Sequence, residues 1–179
     1  MTLLQDNPAN TVATWRSARR QDWRGPVDAE AFYLNPIPSV GRSICVKSPD
    51  GQMKWLTDYL SEEIESLMRL PEGWDGERAK SVGIEAVEAA IPVIFAIVTE
   101  TTLPPQLFPL PDGGLQVEWH VAGNDIEIEI DAEGTGHILA TAISGDVVID
   151  EIVDWQRPAA LWAARDIVHK LSQRAARGR

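Results

Sequence analysis

The residues best suited to chemistry in this chain are three glutamates and a histidine between positions 115 and 131. Glu118 and His120 alternate with apolar residues in one segment, and Glu127 and Glu129 alternate with isoleucines in the next. Carboxylates and imidazole can bind a hard metal ion, act as an acid–base pair, or accept arginine side chains in bidentate hydrogen bonds. These residues are therefore candidates for a metal site, a catalytic site or a docking surface.

Two predicted strands position these side chains. Alternation with period two is typical of half-buried strands, so the acidic residues share one face and the aliphatic residues share the other. Gly123 and Asn124 tolerate positive φ and predict a two-residue hairpin turn. That turn places Glu118 directly opposite Glu129. The other pairs predicted on this face are His120 with Glu127, and Gln116 with Asp131.

Two glutamates opposite each other have different consequences in water and under a partner. In water the repulsion costs about a few tenths of a kcal/mol, and salt reduces it further, so a solvated face is tolerable. If the face is covered, the pair needs a cation, a basic side chain or a shared proton. Both alternatives stay open from the sequence.

A second candidate lies in the loop that contains Trp74 and Asp75 between Gly73 and Gly76. In a structural role, Trp74 fills a gap between helices and Asp75 accepts hydrogen bonds from nearby backbone N–H groups. In a functional role, Asp75 is a carboxylate on a positioned loop. The candidate partner-binding residues are therefore Glu118, His120, Glu127, Glu129, Asp131, Trp74 and Asp75.

The surrounding sequence predicts the elements that carry these residues. Apolar residues at helical spacing predict helices at 53–70 and 84–99 and a C-terminal helix from Arg157-Pro158. The proline-rich segment 103–111 is interpreted as an extended crossover, and further strands are predicted at 137–143 and 147–149. We therefore predict an α+β fold, in which a four-stranded antiparallel meander packs on one face against two preceding helices and the C-terminal helix.

The sequence divides into an arm and a domain. Residues 1–50 form an N-terminal arm that is partly irregular, with a short basic helix predicted at 11–22 and an edge strand at 43–47. Residues 51–179 form the α+β domain. The length of 179 residues suffices for one such core.

Charge is the most informative feature of the composition. The formal net charge is -11, and no Lys or Arg occurs between Lys80 and Arg157, a window that contains fourteen acidic residues. Such a protein is poorly suited to neutralising phosphates, so we expect no nucleic acid as a direct ligand. The acidic surface suits a basic protein partner, or imitates nucleic-acid phosphate.

The cysteine count and the lengths of the apolar runs limit the class of protein further. The single cysteine, Cys45, excludes an internal disulfide, and no Cys/His cluster has zinc spacing. The N-terminus has no basic-then-apolar signal pattern, and the longest apolar run, 89–98, is far shorter than the roughly 20 residues of a membrane span. We expect a cytoplasmic protein with no membrane association and no cofactor.

Three motifs carry a resemblance. Gly-Trp-Asp-Gly at 73–76, Pro-Asp-Gly-Gly-Leu-Gln-Val-Glu-Trp at 111–119 and Ile-Glu-Ile-Glu-Ile at 126–130 resemble a group of small bacterial proteins of unassigned function. The resemblance spans roughly residues 53–150. It implies a recurring helix-plus-meander module and brings no catalytic residue with it.

These observations predict a non-catalytic, acidic protein-binding module in a bacterial cytoplasm. It would present its carboxylate face to a basic protein, as an inhibitor, antitoxin, immunity or anti-defence protein does. The alternative is a metal-assisted hydrolase that uses the same carboxylates, although no sequence signature fixes a nucleophile or a phosphate loop. A structural subunit that buries its Trp-rich edges in a homodimer is a third class.

Overall fold

The structure is a computed structural model, and it describes residues 33–34, 46–47, 53–153 and 159–177. The helices are α1 (Lys54–Met68), α2 (Ile84–Ile97) and α3 (Ala159–Arg177). The strands are β1 (Tyr33–Leu34), β2 (Val46–Lys47), β3 (Gln106–Pro109), β4 (Leu115–Val121), β5 (Asn124–Ile130), β6 (Gly136–Thr141) and β7 (Val147–Ile152). The fold is α+β, as predicted.

The main sheet is an antiparallel meander of five strands in the order β3-β4-β5-β6-β7. The prediction of four strands missed β3, which lies within the proline-rich segment that we interpreted as a crossover. Prolines mark both ends of this short strand, at Pro105 and Pro109, and Leu107 between them is buried. Proline is compatible with an edge strand, because an edge strand needs partners on one side only.

The hairpin of β4 and β5 has a different register from the predicted one. Val121 pairs with Asn124, so the two turn residues are Ala122 and Gly123, with φ of 53° and 76°. Glu118 therefore lies opposite Glu127, not Glu129. The shift is an even number of residues, so every side chain keeps its predicted face.

The helices and the aliphatic face of the sheet form one hydrophobic core. Trp119, at 1% exposure, lies in this core, and its Nε1 donates to the carbonyl oxygen of Leu103 at 3.0 Å. The isoleucines of β5 are fully buried in the same cluster as residues of all three helices. The main core residues are Leu56, Leu60, Ile64, Val87, Ile94, Leu115, Val117, Ile126, Ile128, Ile130, Ile138, Leu161 and Val168.

The described part of the N-terminal arm is small. β2 covers the end of the predicted strand 43–47, but it pairs with β1 in a separate two-stranded sheet. Val46 is buried, and its N–H donates to Ser61 Oγ of α1 at 2.9 Å. The predicted helix at 11–22 lies outside the described residues, and the boundary at residue 50 stays a prediction.

Candidate functional site

The side chains opposite the core form a surface that we call the acidic face. It comprises Glu118 and His120 of β4, Asp125, Glu127 and Glu129 of β5, His137 of β6, and Asp150 of β7. Cross-strand pairing brings these residues together: Glu118 faces Glu127, His120 faces Asp125, and Glu129 faces His137. The core covers the other side of the same strands, so the strand alternation alone creates this surface.

His120 bridges two carboxylates. Its Nδ1 lies 2.7 Å from Asp125 Oδ1, and its Nε2 lies 2.6 Å from Glu118 Oε2. A neutral imidazole has one N–H, so only the protonated ring can donate to both oxygens. The hydrogen bond to Asp125, followed by the one to Glu118, raises the pKa of His120 above its usual value. In its protonated form, His120 partly neutralises this end of the acidic face.

Glu127 lies where the acidic face is most crowded with negative charge. It sits directly opposite Glu118, whose side chain is only 13% exposed. Partial burial raises the pKa of Glu127, and the charges of Glu118, Asp125 and Glu129 raise it further. Gln116 Nε2 donates to Glu127 Oε2 at 3.3 Å, a neutral contact that leaves the charge unpaired.

The other end of the acidic face has a second histidine contact. His137 Nε2 lies 2.7 Å from Asp150 Oδ1 on the neighbouring strand. Leu139 stands between Asp150 and Glu127 in the same cross-strand row. The acidic face therefore extends from β4 to the open edge of the sheet at β7.

The ion pairs made by Lys or Arg lie elsewhere in the part of the chain that the structure describes. Lys54 pairs with Asp58 on α1 at 2.5 Å, and Arg69, directly after α1, pairs with Glu65. The basic helix α3 packs its apolar residues into the core behind the sheet. Over residues 53–153 and 159–177, no Lys or Arg therefore neutralises the acidic face.

Three predicted site residues serve as turn anchors. Asp75 Oδ1 accepts from the N–H groups of Glu77 at 2.8 Å and Ala79 at 3.2 Å, and Trp74 Nε1 donates to the carbonyl of Lys80 at 3.0 Å. Asp75 thus has the structural role considered for this loop, whereas Trp74 is half-buried and its observed contact is with the loop backbone.

Asp131 is the third of these anchors, and its predicted pairing with Gln116 is wrong, because Gln116 pairs with Glu129. Asp131 Oδ1 accepts from the N–H groups of Glu133 at 3.0 Å and Thr135 at 2.7 Å, which closes the turn after β5. The structure does not use Asp131 as a member of the acidic face.

The structure also adds residues that the sequence interpretation left out of the site. A turn at Gly123 and Asn124 would set Asp125 opposite Ala122, whereas in the structure Asp125 pairs with His120 and contacts its imidazole. The predicted strand 147–149 excludes Asp150, whereas β7 runs to Ile152. Asp150 and Glu151 are consecutive polar residues, so no local alternation marks the longer strand.

Within the described ranges, no three His, Cys, Asp or Glu residues are grouped so that they could hold a metal ion. Glu118, His120, Glu127 and Glu129 thus do not form such a group. Among the same residues, none of the helices combines the length and the apolar character of a membrane span.

Comparisons with protein families, with curated proteins and with solved structures find no match for this chain. The resemblance of the segment 53–150 to small bacterial proteins therefore stays a prediction. The geometry of the acidic face is the remaining basis for a functional argument.

Proposed function

We propose that this protein is a non-catalytic binding module that presents its acidic face to a basic protein surface. Inhibitors, antitoxins and immunity proteins act in this way, by covering a functional surface of another protein. The observation that carries the proposal is the row of carboxylates on one sheet face, for which the described residues supply no Lys or Arg.

Glu127 and Glu129 are the centre of the proposed contact. His120 already holds Glu118 and Asp125, so these two neighbouring carboxylates remain without a cationic partner among the described residues. An arginine side chain of a partner would fit this pair of carboxylates, because a guanidinium can donate two parallel hydrogen bonds to one carboxylate. It would also relieve the repulsion between Glu127 and Glu118, which adds to the gain on binding.

The test is a charge reversal on the acidic face. The probe is an arginine-rich peptide, and its dissociation constant is measured by calorimetry at low and at physiological salt. We expect the double variant Glu127→Lys/Glu129→Lys to bind at least about tenfold more weakly, because two attractive contacts become repulsive. Circular dichroism and the melting temperature show whether the variant folds.

The matched control is the double variant Glu62→Lys/Glu77→Lys. Both residues are exposed and lie outside the main sheet, and their reversal changes the net charge by the same amount. We expect this control to retain most of the affinity at physiological salt. Equal loss in the two double variants would mean that the peptide responds to the overall charge, and the proposal would be wrong.

A further inference from the structure

We infer that the basic partner docks as an additional antiparallel strand on the open edge of β7. This inference rests on the proposed function and deepens it, since it states how the partner reaches the acidic face. A strand added to a sheet edge gains affinity from main-chain hydrogen bonds and specificity from alternate side chains.

The two edges of the main sheet differ in their capacity to accept a strand. β3 has four residues, of which Pro109 has no N–H to donate. β7 has six residues and contains no proline. Within the described part of the chain, no strand pairs with its outer side. β7 is therefore the edge with the longer regular run of main-chain groups, from Ile149 to Ile152, beyond a register shift at Val148.

The register shows which main-chain groups of β7 point outward. The N–H of Val153 donates to the carbonyl of Gly136 on the β6 side at 2.7 Å. In an antiparallel ladder, residues alternate between pointing their N–H and C=O groups toward one neighbour and toward the other. Glu151 therefore bonds toward β6, whereas Asp150 and Ile152 direct their N–H and C=O groups away from the sheet.

Apolar side chains accompany this open edge. Ile152 is 71% exposed, Val147 and Val148 are each 59% exposed, and Ile143 in the preceding turn is 74% exposed. Exposed apolar residues along an unpaired edge favour association with another strand. A protein whose edge strand has no partner usually covers or blocks that edge.

Charge selects the class of occupant. Asp150 and Glu151 are exposed at successive positions, so they present carboxylates on both sides of the edge. A second copy would bring the same two acids to the new strand pair and would add its own net charge of -11. A basic segment matches both the carboxylates and the apolar side chains of this edge. It would place Lys or Arg opposite Asp150 and Glu151, and an apolar residue opposite Ile152.

This register specifies a probe. The capped peptide Thr-Val-Lys-Lys-Val-Val-Thr places its second, third and fourth residues opposite Ile152, Glu151 and Asp150. The N–H groups of its second and fourth residues then face β7, and those of its third and fifth residues face solvent. N-methylation of the N–H groups that face β7 removes the docking hydrogen bonds. N-methylation of the N–H groups that face solvent is the matched control.

Binding is measured by NMR titration of the full chain. We expect N-methylation of the inward-facing set to weaken binding at least about fivefold, the effect of losing about one net hydrogen bond, and the control peptide to bind nearly as the parent does. Ile152→Pro removes one outward N–H without breaking the ladder to β6, so it should weaken binding similarly and leave the melting temperature nearly unchanged. Ile152→Thr keeps that N–H and should lose less affinity.

The outcomes separate this inference from the proposed function. If both N-methylated peptides bind like the parent, docking on β7 is wrong; a loss of binding in Glu127→Lys/Glu129→Lys would then still support the acidic face as a contact surface. If neither the peptides nor the variants respond, both proposals fail. If the wild-type chain is a dimer that Ile152→Pro makes monomeric, the edge belongs to a second copy and the inference is overturned.

Discussion

The two faces of the main sheet are made by the same strands and differ in almost every physical respect. Behind the sheet, Trp119 and the isoleucines of β5 are fully buried against three helices. In front, Glu118, Glu127 and Glu129 sit close together with like charge. The hydrophobic contacts of the first face stabilise the fold, whereas the like charges of the second face are mildly destabilising apart from the contacts of His120. The comparison shows that strand alternation can place a charged surface on a sheet whose stability comes from the opposite side.

The largest expected effect contrasts neighbours on β5. Ile128→Ala removes a fully buried side chain and leaves a cavity, so we expect the free energy of unfolding to fall by about 2–5 kcal/mol. Glu129→Ala, one position along the strand, should change it by less than about 0.5 kcal/mol. Urea unfolding measures both variants. Similar losses at the two positions would show that the acidic face also contributes to folding.

A smaller effect is expected at the turn that fixes both faces. Ala122 has a φ of 53°, a conformation that is unfavourable for any residue with a Cβ atom. Ala122→Gly should raise the free energy of unfolding by about 0.5 kcal/mol, because relief of this strain exceeds the added entropy of the unfolded chain. Ala142→Gly, at a position without positive φ, should lower it by about 0.5–1 kcal/mol. A loss of stability in both variants would contradict the register described here.

The smallest effect concerns pH and the acidic face itself. The hydrogen bonds to Asp125 and Glu118 raise the pKa of His120, so the folded state binds its proton more tightly than the unfolded state does. This stabilisation is fully present below the usual histidine pKa of about 6.5 and is lost as the pH rises through the higher folded-state pKa. An NMR titration of the imidazole should give a midpoint above about 6.5. Glu118→Gln should lower that midpoint, and a midpoint unchanged by the substitution would exclude the proposed bridge.

The sequence predicted the faces better than the pairing, and Asn124 shows why. The sequence pattern predicts Asn124 in the turn, but its side chain makes a long-range contact. Its Oδ1 accepts a hydrogen bond from the N–H of Ile143 at 3.1 Å. Its Nδ2 donates to the carbonyls of Val121 and Ala122 at 3.2 Å each. These contacts keep Asn124 in β5 and move the turn to Ala122. No local pattern reveals a contact nineteen positions away.

The strands at the two edges were the other gap in the prediction. Prolines obscured β3, although its exposed–buried–exposed pattern at 106–108 is that of a strand. The end of β7 depends on pairing with β6, so the position of Asp150 beside His137 could not be read from residues 147–152 alone. Alternation therefore predicted the glutamates and His120 of the candidate site. It did not predict Asp125 and Asp150, whose contacts depend on the pairing of strands.

The three described helices all pack on the same face of the main sheet. This arrangement has a consequence for how the sequence can change during evolution. Substitutions among residues that face away from the helices disturb few interior contacts, so they can accumulate without threatening the folded state. Substitutions behind the strands are removed by selection against unfolding. The sequence of the outer face can therefore change one position at a time while the fold stays constant.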